Sequence, residues 1–249
     1  MRFALPTPKH GWRDFVGEVG IIVLGVLLAL AAEQAVVALR DRNDAADTRR
    51  EIAAELNDDL ASIDLRRSAE RCIDTRLAEL RAILGDWSRT GRFATPSWVA
   101  QSPKIEVTLT RFEAATTAGR FAHLTGEEQY RVGAIVEGIR RFDQLQTDER
   151  LIWGRLRALQ AGAEALSVTD RTSLVTALQD ASSLDYEIRI DAQQILPLAK
   201  DYGFRPNFAH FGATAGRTWA GGRFKPSICT PIDTPRDEAN RTQVTPLPL

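Results

Sequence analysis

Cysteine is scarce in this chain: two residues in 249, Cys72 and Cys229. Two thiols cannot make the framework of a small disulfide-stapled fold, and no C-x-x-C supports redox catalysis. Histidine is as thin, with His10, His123 and His210 dispersed and never in a His/His or Cys/His ligand spacing, which argues against a zinc site. There is no Walker loop, no G-x-S-x-G and no G-x-G-x-x-G following a strand. Gly216 to Gly222, GRTWAGG, precedes no helix and reads as irregular chain rather than a phosphate cradle. Lysine is limited to Lys9, Lys104, Lys200 and Lys225, yet the net charge is only −1 because arginines and carboxylates interleave. No global field favours nucleic acid. No cofactor, metal or catalytic residue is expected, and the chain does not read as an enzyme.

Proline and glycine are absent from Arg40 to Leu84. What precedes that stretch is the most informative run in the chain, WRDFVGEVGIIVLGVLLALAAEQAVVAL from Trp12 to Leu39. Phe15 to Leu39 as a helix covers roughly 37 Å, enough for a hydrocarbon core of about 30 Å. Trp12, Arg13, Arg40 and Arg42 suit the two interfaces. Ala29-Leu30-Ala31 resembles a signal-peptidase site, but Glu18 interrupts the approach to the apolar run and hydrophobicity resumes after Glu33, so the segment reads as a retained anchor. The lipid bilayer is thus the first expected partner. Residues 1–14 are expected as a short cytoplasmic tail, 15–39 as the span, 40–202 as a helical domain and 203–249 as an irregular segment, a strap to about Pro231 and disordered from Asp233 to Leu249. The layout is that of an inner-membrane signal anchor with the domain in the periplasm.

Glu18, Ile22, Gly25, Ala29, Ala32 and Glu33 form one stripe down the span. Small residues on such a stripe let a second helix approach closely, and carboxylates only about 22 Å apart along the axis need a face protected from lipid. The stripe therefore reads as a packing seam, for a homo-oligomer or another membrane protein. The plainer alternative is two snorkelling carboxylates on a helix without a partner.

Gly17-Glu18, then Ile21-Ile22-Val23-x-Gly25-Val26-Leu27-x-Ala29-Leu30, resembles the start of an uncharacterised family of bacterial single-span proteins with a G-E-x-x-x-V-x-x-G-x-L-x-A-L signature. Phe112-Glu113-Ala114 through Gly119-Arg120-Phe121 and Leu124 is similar to a later segment of the same family. The N-W-N that follows the span there is replaced here by Glu33-Gln34-Ala35. The resemblance implies membrane location and a helical C-terminal region, and no activity.

Beyond the span, Ile52, Leu56, Leu60, Ile63, Ile73, Leu77, Leu80 and Leu84 recur at helical steps. They predict one stalk running on as the first helix of the domain and ending at Gly85. A loop from Trp87 to Pro103 and a short helix from Val107 to Ala118, closed by Gly119, follow. Thr125 and Glu128 make a capping box for a helix to about Leu166, with Ile135, Ile139, Phe142, Leu145, Ile152, Leu156 and Leu159 facing inward. Thr169 is expected to cap the last helix, whose inner face is Leu174, Leu178, Ala181, Leu184, Ile188 and Ile195, and Pro197 to kink or end it. The sum is an all-α protein, an antiparallel bundle with a Pro/Gly-rich strap.

Acidic pairs such as Asp58-Asp59 read as solvated; Trp153 with Arg155, and Trp98 with Trp219, could line a ligand cleft, but aromatics at helical spacing read first as core. In an oxidising compartment a Cys72–Cys229 bridge would close a loop of about 157 residues and hold the strap down. The alternative is two unrelated thiols, with Cys72 packed as a small hydrophobe. The expected role is a non-enzymatic, membrane-anchored interaction or scaffold module. The second reading is a periplasmic ligand-sensing bundle that signals through a partner membrane protein.

Overall fold

The computed structural model describes residues 12–211, 227–235 and 237–238. Among them there is no strand, and the fold is all-α. Helix α1 runs from Trp12 to Ser68, α2 from Glu70 to Thr90, α3 from Thr110 to Thr117, α4 from Gly126 to Leu156 and α5 from Val168 to Asp201. The first half of α1 is long and apolar enough to cross a membrane, with a mean hydropathy of 2.5 in a window that the other described residues leave bare. The second half is clothed. Ala45, Ile52, Leu56, Leu60 and Ile63 are all buried.

The expected unbroken helix from Arg40 to Leu84 is interrupted at Ala69. There the hydrogen bonding tightens to three-residue steps, Ala69 N to Arg66 O at 3.1 Å and Cys72 N to Ala69 O at 3.0 Å, the 3₁₀ pattern common at helix joints. Ser68 Oγ donates back to Leu65 O at 2.6 Å, a local competition that serine offers and that bends helices. The helix also outruns Gly85. Leu84 and Trp87 are both buried, so packing carries α2 across the glycine. It stops instead at Gly91, whose φ of 69° lets its N–H bond to Trp87 O at 2.9 Å, a left-handed C-terminal stop that glycine takes without strain.

The loop is accordingly residues 91–109, and α3 is shorter than expected. The capping box at the start of α4 is present, with Glu128 N donating to Thr125 Oγ1 and Thr125 N donating to Glu128 Oε2. Helix α4 ends at Leu156 and tightens into a 3₁₀ turn, Arg157–Ala161, ten residues short of Leu166. Ser167 rather than Thr169 caps α5, through a second capping box with Asp170. Pro197 does not end that helix, which continues to Asp201. The carbonyl that Pro197 leaves unpaired belongs to Gln193, which is exposed and can be hydrated.

Helix α5 runs antiparallel to α4, pairing Arg141 with Asp191 and setting Ile195 against Gly138. It also opposes the α1–α2 rod, with Arg205 beside Asn57 at one end and Arg171 over Trp87 at the other. Helices α1 and α4 point the same way, since Arg49 meets Glu128 and Arg66 meets Glu149. Parallel neighbours need a long return, and residues 91–109 provide it in extended form, with Gln160 bonded to Ser97 and Gln146 to Ile105.

Burial divides into two apolar clusters. The one nearer the bare half of α1 joins Ile52, Leu56, Ile63, Phe112, Ile139, Phe142 and Ile188. The farther one joins Ile73, Leu80, Trp87, Trp98, Trp153, Leu156 and Leu178. Of the expected inward residues of α4, Leu145 and Ile152 are only half-buried, while Gln146, Glu149 and Trp153 face the core. In α5, Asp185 takes the buried place expected for Leu184.

Candidate functional site

The stripe Glu18, Ile22, Gly25, Ala29, Ala32 and Glu33 lies entirely within α1, and each residue is exposed. A Cβ added at Gly25 would meet nothing within 4 Å. Continued by steps of three and four, the stripe passes through Val36, Arg40, Asn43, Asp47 and Arg50, all exposed as well. Its residues in the domain sit two positions from a buried neighbour, Asn43 and Asp47 from Ala45 and Arg50 from Ile52. Two positions on a helix are offset by about 200°, so the stripe runs down the side of α1 turned away from the bundle. A shallow groove over Gly20, lined by Val16, Val23 and Leu27 among others, lies on the other side of the same segment.

The structure brings Cys72 and Cys229 together as a disulfide, with an S–S distance of 1.99 Å and Cα atoms 4.9 Å apart. The bridge does not hold the strap alone. One turn further along α2, the buried Arg76 donates from Nη1 to the carbonyls of Trp98 and Val99, each at 2.9 Å, and from Nη2 to the carbonyl of Thr230. Its Nε meets Glu79 at 2.7 Å. Burial pulls its pKa down, opposed by Glu79. Trp98 N donates to Ile232 O at 2.9 Å, so strap and return segment are pinned to each other and to α2. Nothing in the sequence distinguishes Arg76 from the other arginines of its helix.

Between the two apolar clusters lies a charged layer that the sequence did not announce. Arg66, 1% exposed, reaches Glu149 Oε1 at 3.0 Å and Asp185 Oδ1 at 3.3 Å. Glu149 also accepts from Ser102 Oγ at 2.9 Å and from Trp153 Nε1 at 3.3 Å, and Asp185 pairs with Arg189. The layer joins α1, the return segment, α4 and α5 within a single shell, three residues before the joint at Ala69. A buried pair of this kind loses its desolvation compensation when one member is removed.

A second buried acidic set holds the return segment from the other direction. Glu55 accepts from Arg111 N at 2.8 Å and Phe112 N at 2.9 Å, and Asp59 accepts from Thr108 N at 2.8 Å. The first N–H groups of a helix have no internal partner, and α3 takes them from α1 instead of from its own cap. Asp59 is thus buried rather than solvated. Burial pushes its carboxyl up to about 7, with the Thr108 N–H opposing and Glu55, Asp58 and Asp143 adding to the rise.

Trp153 and Trp98 are core residues, 1% and 4% exposed. Arg155 is exposed. His10, Trp219 and the glycine-rich run Gly216–Gly222 lie outside the described residues. Among the described residues no three His, Cys, Asp or Glu side chains group as metal ligands. The arrangement offers clamps and faces: among the described residues the buried charges reach structural partners, although Nε and Nη1 of Arg66 and Oδ2 of Asp59 make no hydrogen bond. No family model, curated protein or solved structure matches the chain.

Proposed function

We propose that this protein is a single-pass, membrane-anchored interaction module of the bacterial inner membrane, with its helical domain in the periplasm and a second transmembrane helix packed on the Glu18–Glu33 stripe. The observation that carries the reading is the direction of that stripe. It is exposed along its whole length and continues onto the free side of α1, so a partner helix can lie against it without meeting the bundle. In lipid, small residues there permit close approach, and the two carboxylates gain a face away from hydrocarbon. The Cys72–Cys229 bridge supports the oxidising side of the membrane, where such bonds persist. Arg66, Arg76, Glu55, Asp59 and Glu149 each join one element to another, which suits a rigid scaffold. The N-terminal signature that resembles a single-span family accords with this and adds no activity.

The test is extraction from native membranes in mild detergent, followed by cross-linking from the stripe. A discrete dimer or a defined membrane partner is the expected result. A monomer at every concentration, with no partner captured, would remove the reading. The sensing alternative would be favoured instead by a small molecule that raises the melting temperature of the intact protein.

A further inference from the structure

We infer that the turn Arg120–His123, with Thr117 to Gly119 leading into it, is a foot on which the bundle rests in the phospholipid headgroup layer. The inference stands on the anchor reading and adds to it a second membrane contact made by the domain itself. Helix α1 continues unbroken through the end of the apolar run at Leu39. Asp41, only about 3 Å further along the axis, already touches the domain, its Oδ1 4.0 Å from His123 Nδ1. Ala45, one turn on, is buried. No length of free stalk separates the run from the bundle. The headgroup layer on each side of the hydrocarbon is roughly 5–7 Å deep. With Leu39 at the hydrocarbon edge, a turn in contact with Asp41 sits inside that layer.

The surface of the turn suits this place. Ala118, Gly119, Ala122 and His123 are exposed, so small groups face outward. Phe121 packs edge-on against Phe112, ring centroids 5.2 Å apart, which fixes the turn to the lower core. Around it, Arg49, Arg50 and Arg120 are matched by Glu128, Asp47 and Glu51. Arg40 and Arg42 are exposed and enter no ion pair among the described residues; Asp44 is similarly unmatched, and Asp41 meets only the His123 imidazole, a charge partner when protonated. Two unmatched guanidiniums at this depth face lipid phosphates, the anionic oxygens that arginine binds best. The foot also sets the register of the span. It places Glu33, about 9 Å short of Leu39, inside the hydrocarbon. Were Glu33 at the interface instead, Asp41 and the foot would stand about 12 Å beyond it, in water.

The native thiols are tied to each other, so Ala122→Cys or Ala165→Cys in the full chain adds one free thiol for a fluorophore. Both sites are exposed, and position 165 lies beyond the far end of α4, in the turn Ala163–Ala165 that leads into α5. The protein is reconstituted in vesicles of phosphatidylethanolamine and phosphatidylglycerol and washed with carbonate. A nitroxide carried on lipid headgroups should quench the label at 122 severalfold more than the label at 165, and dissolved iodide should do the reverse. Equal quenching of both labels by iodide in carbonate-resistant protein overturns the foot and leaves the anchor standing. Release by carbonate overturns both. Arg40→Gln with Arg42→Gln, in protein still carbonate-resistant, should reduce headgroup quenching at 122. Unchanged quenching would overturn the phosphate contact while keeping the seat.

Discussion

The two halves of α1 are the same helix under opposite rules. Up to Leu39 its large apolar side chains are bare, and Ile21 and Leu28 are more than half exposed. From Ala45 on, the large apolar residues Ile52, Leu56, Leu60, Ile63 and Leu65 are buried, and charges that reach the core are tied to backbone or to other charges. The lesson concerns solvent. Hydrophobic residues alone do not mark a core, but the place where the chain begins to cover them marks where water begins. That change falls between Leu39 and Ala45, within two turns. It is also where the foot is placed.

This contrast can be broken from the domain side first. Arg66→Leu strands Glu149 and Asp185 without their common cation. The domain should lose about 3–5 kcal/mol in urea unfolding, while membrane insertion, which depends on residues before Leu39, should be untouched. Loss of insertion alongside loss of stability would show that the two halves are not independent. Next in size is the covalent clamp. Cys72→Ser and Cys229→Ser should each cost about 2–4 kcal/mol or less, and the double variant no more than either alone, because both remove one shared bond. Thiols open to rapid alkylation in cells would sink the bridge and weaken the periplasmic placement.

A smaller effect sharpens the picture of the clothed half. The carboxyl of Asp59 is raised from 3.8 to about 7 by burial, so folding favours its protonated form. Its contribution is full below pH 3.8 and lost as pH rises through about 7. Asp59→Asn keeps an acceptor for Thr108 N and should flatten that part of the stability–pH curve between these limits. An identical slope in wild type and variant would show that Asp59 does not titrate there. The smallest change in the domain is expected from Gly25→Leu, whose melting temperature should match wild type while any complex weakens, because bulk keeps backbones apart. Gly20→Leu, on the other side of the span, should leave the complex intact. If it is Gly20→Leu that weakens assembly, the packing face is the groove and not the stripe.

Much of the fold was legible because local chemistry decides it. Thr125 and Glu128 spell a capping box, and the three- and four-residue steps from Ile52 to Ile63 name a buried face. The same S-x-x-D logic was present at Ser167 and Asp170, yet Thr169 stood two residues closer to the apolar run that begins at Leu174 and drew the cap to itself. The joint at Ala69 had no proline or glycine to announce it. Gly85 looked like a stop only because its neighbours' burial could not be weighed. The two cysteines could be paired because there were no others. Arg76, Gln146, Glu55 and the Arg66 layer were hidden for a different reason. A buried charge differs from a solvated one by its partner, and the partners on other elements lie 22 to 154 residues away.

The position of Cys72 has a mechanical side. The bond to Cys229 closes residues 72–229 into a ring, and the ring begins just past the joint at Ala69. All of α1 hangs outside it. A pull on the span, by a partner or by the membrane, can therefore unzip α1 from the bundle, but the extension it yields must stop at Cys72. In a single-molecule experiment the oxidised protein should lengthen by no more than the residues before that point when drawn between the span and residue 229. Only after reduction should the remaining chain pay out.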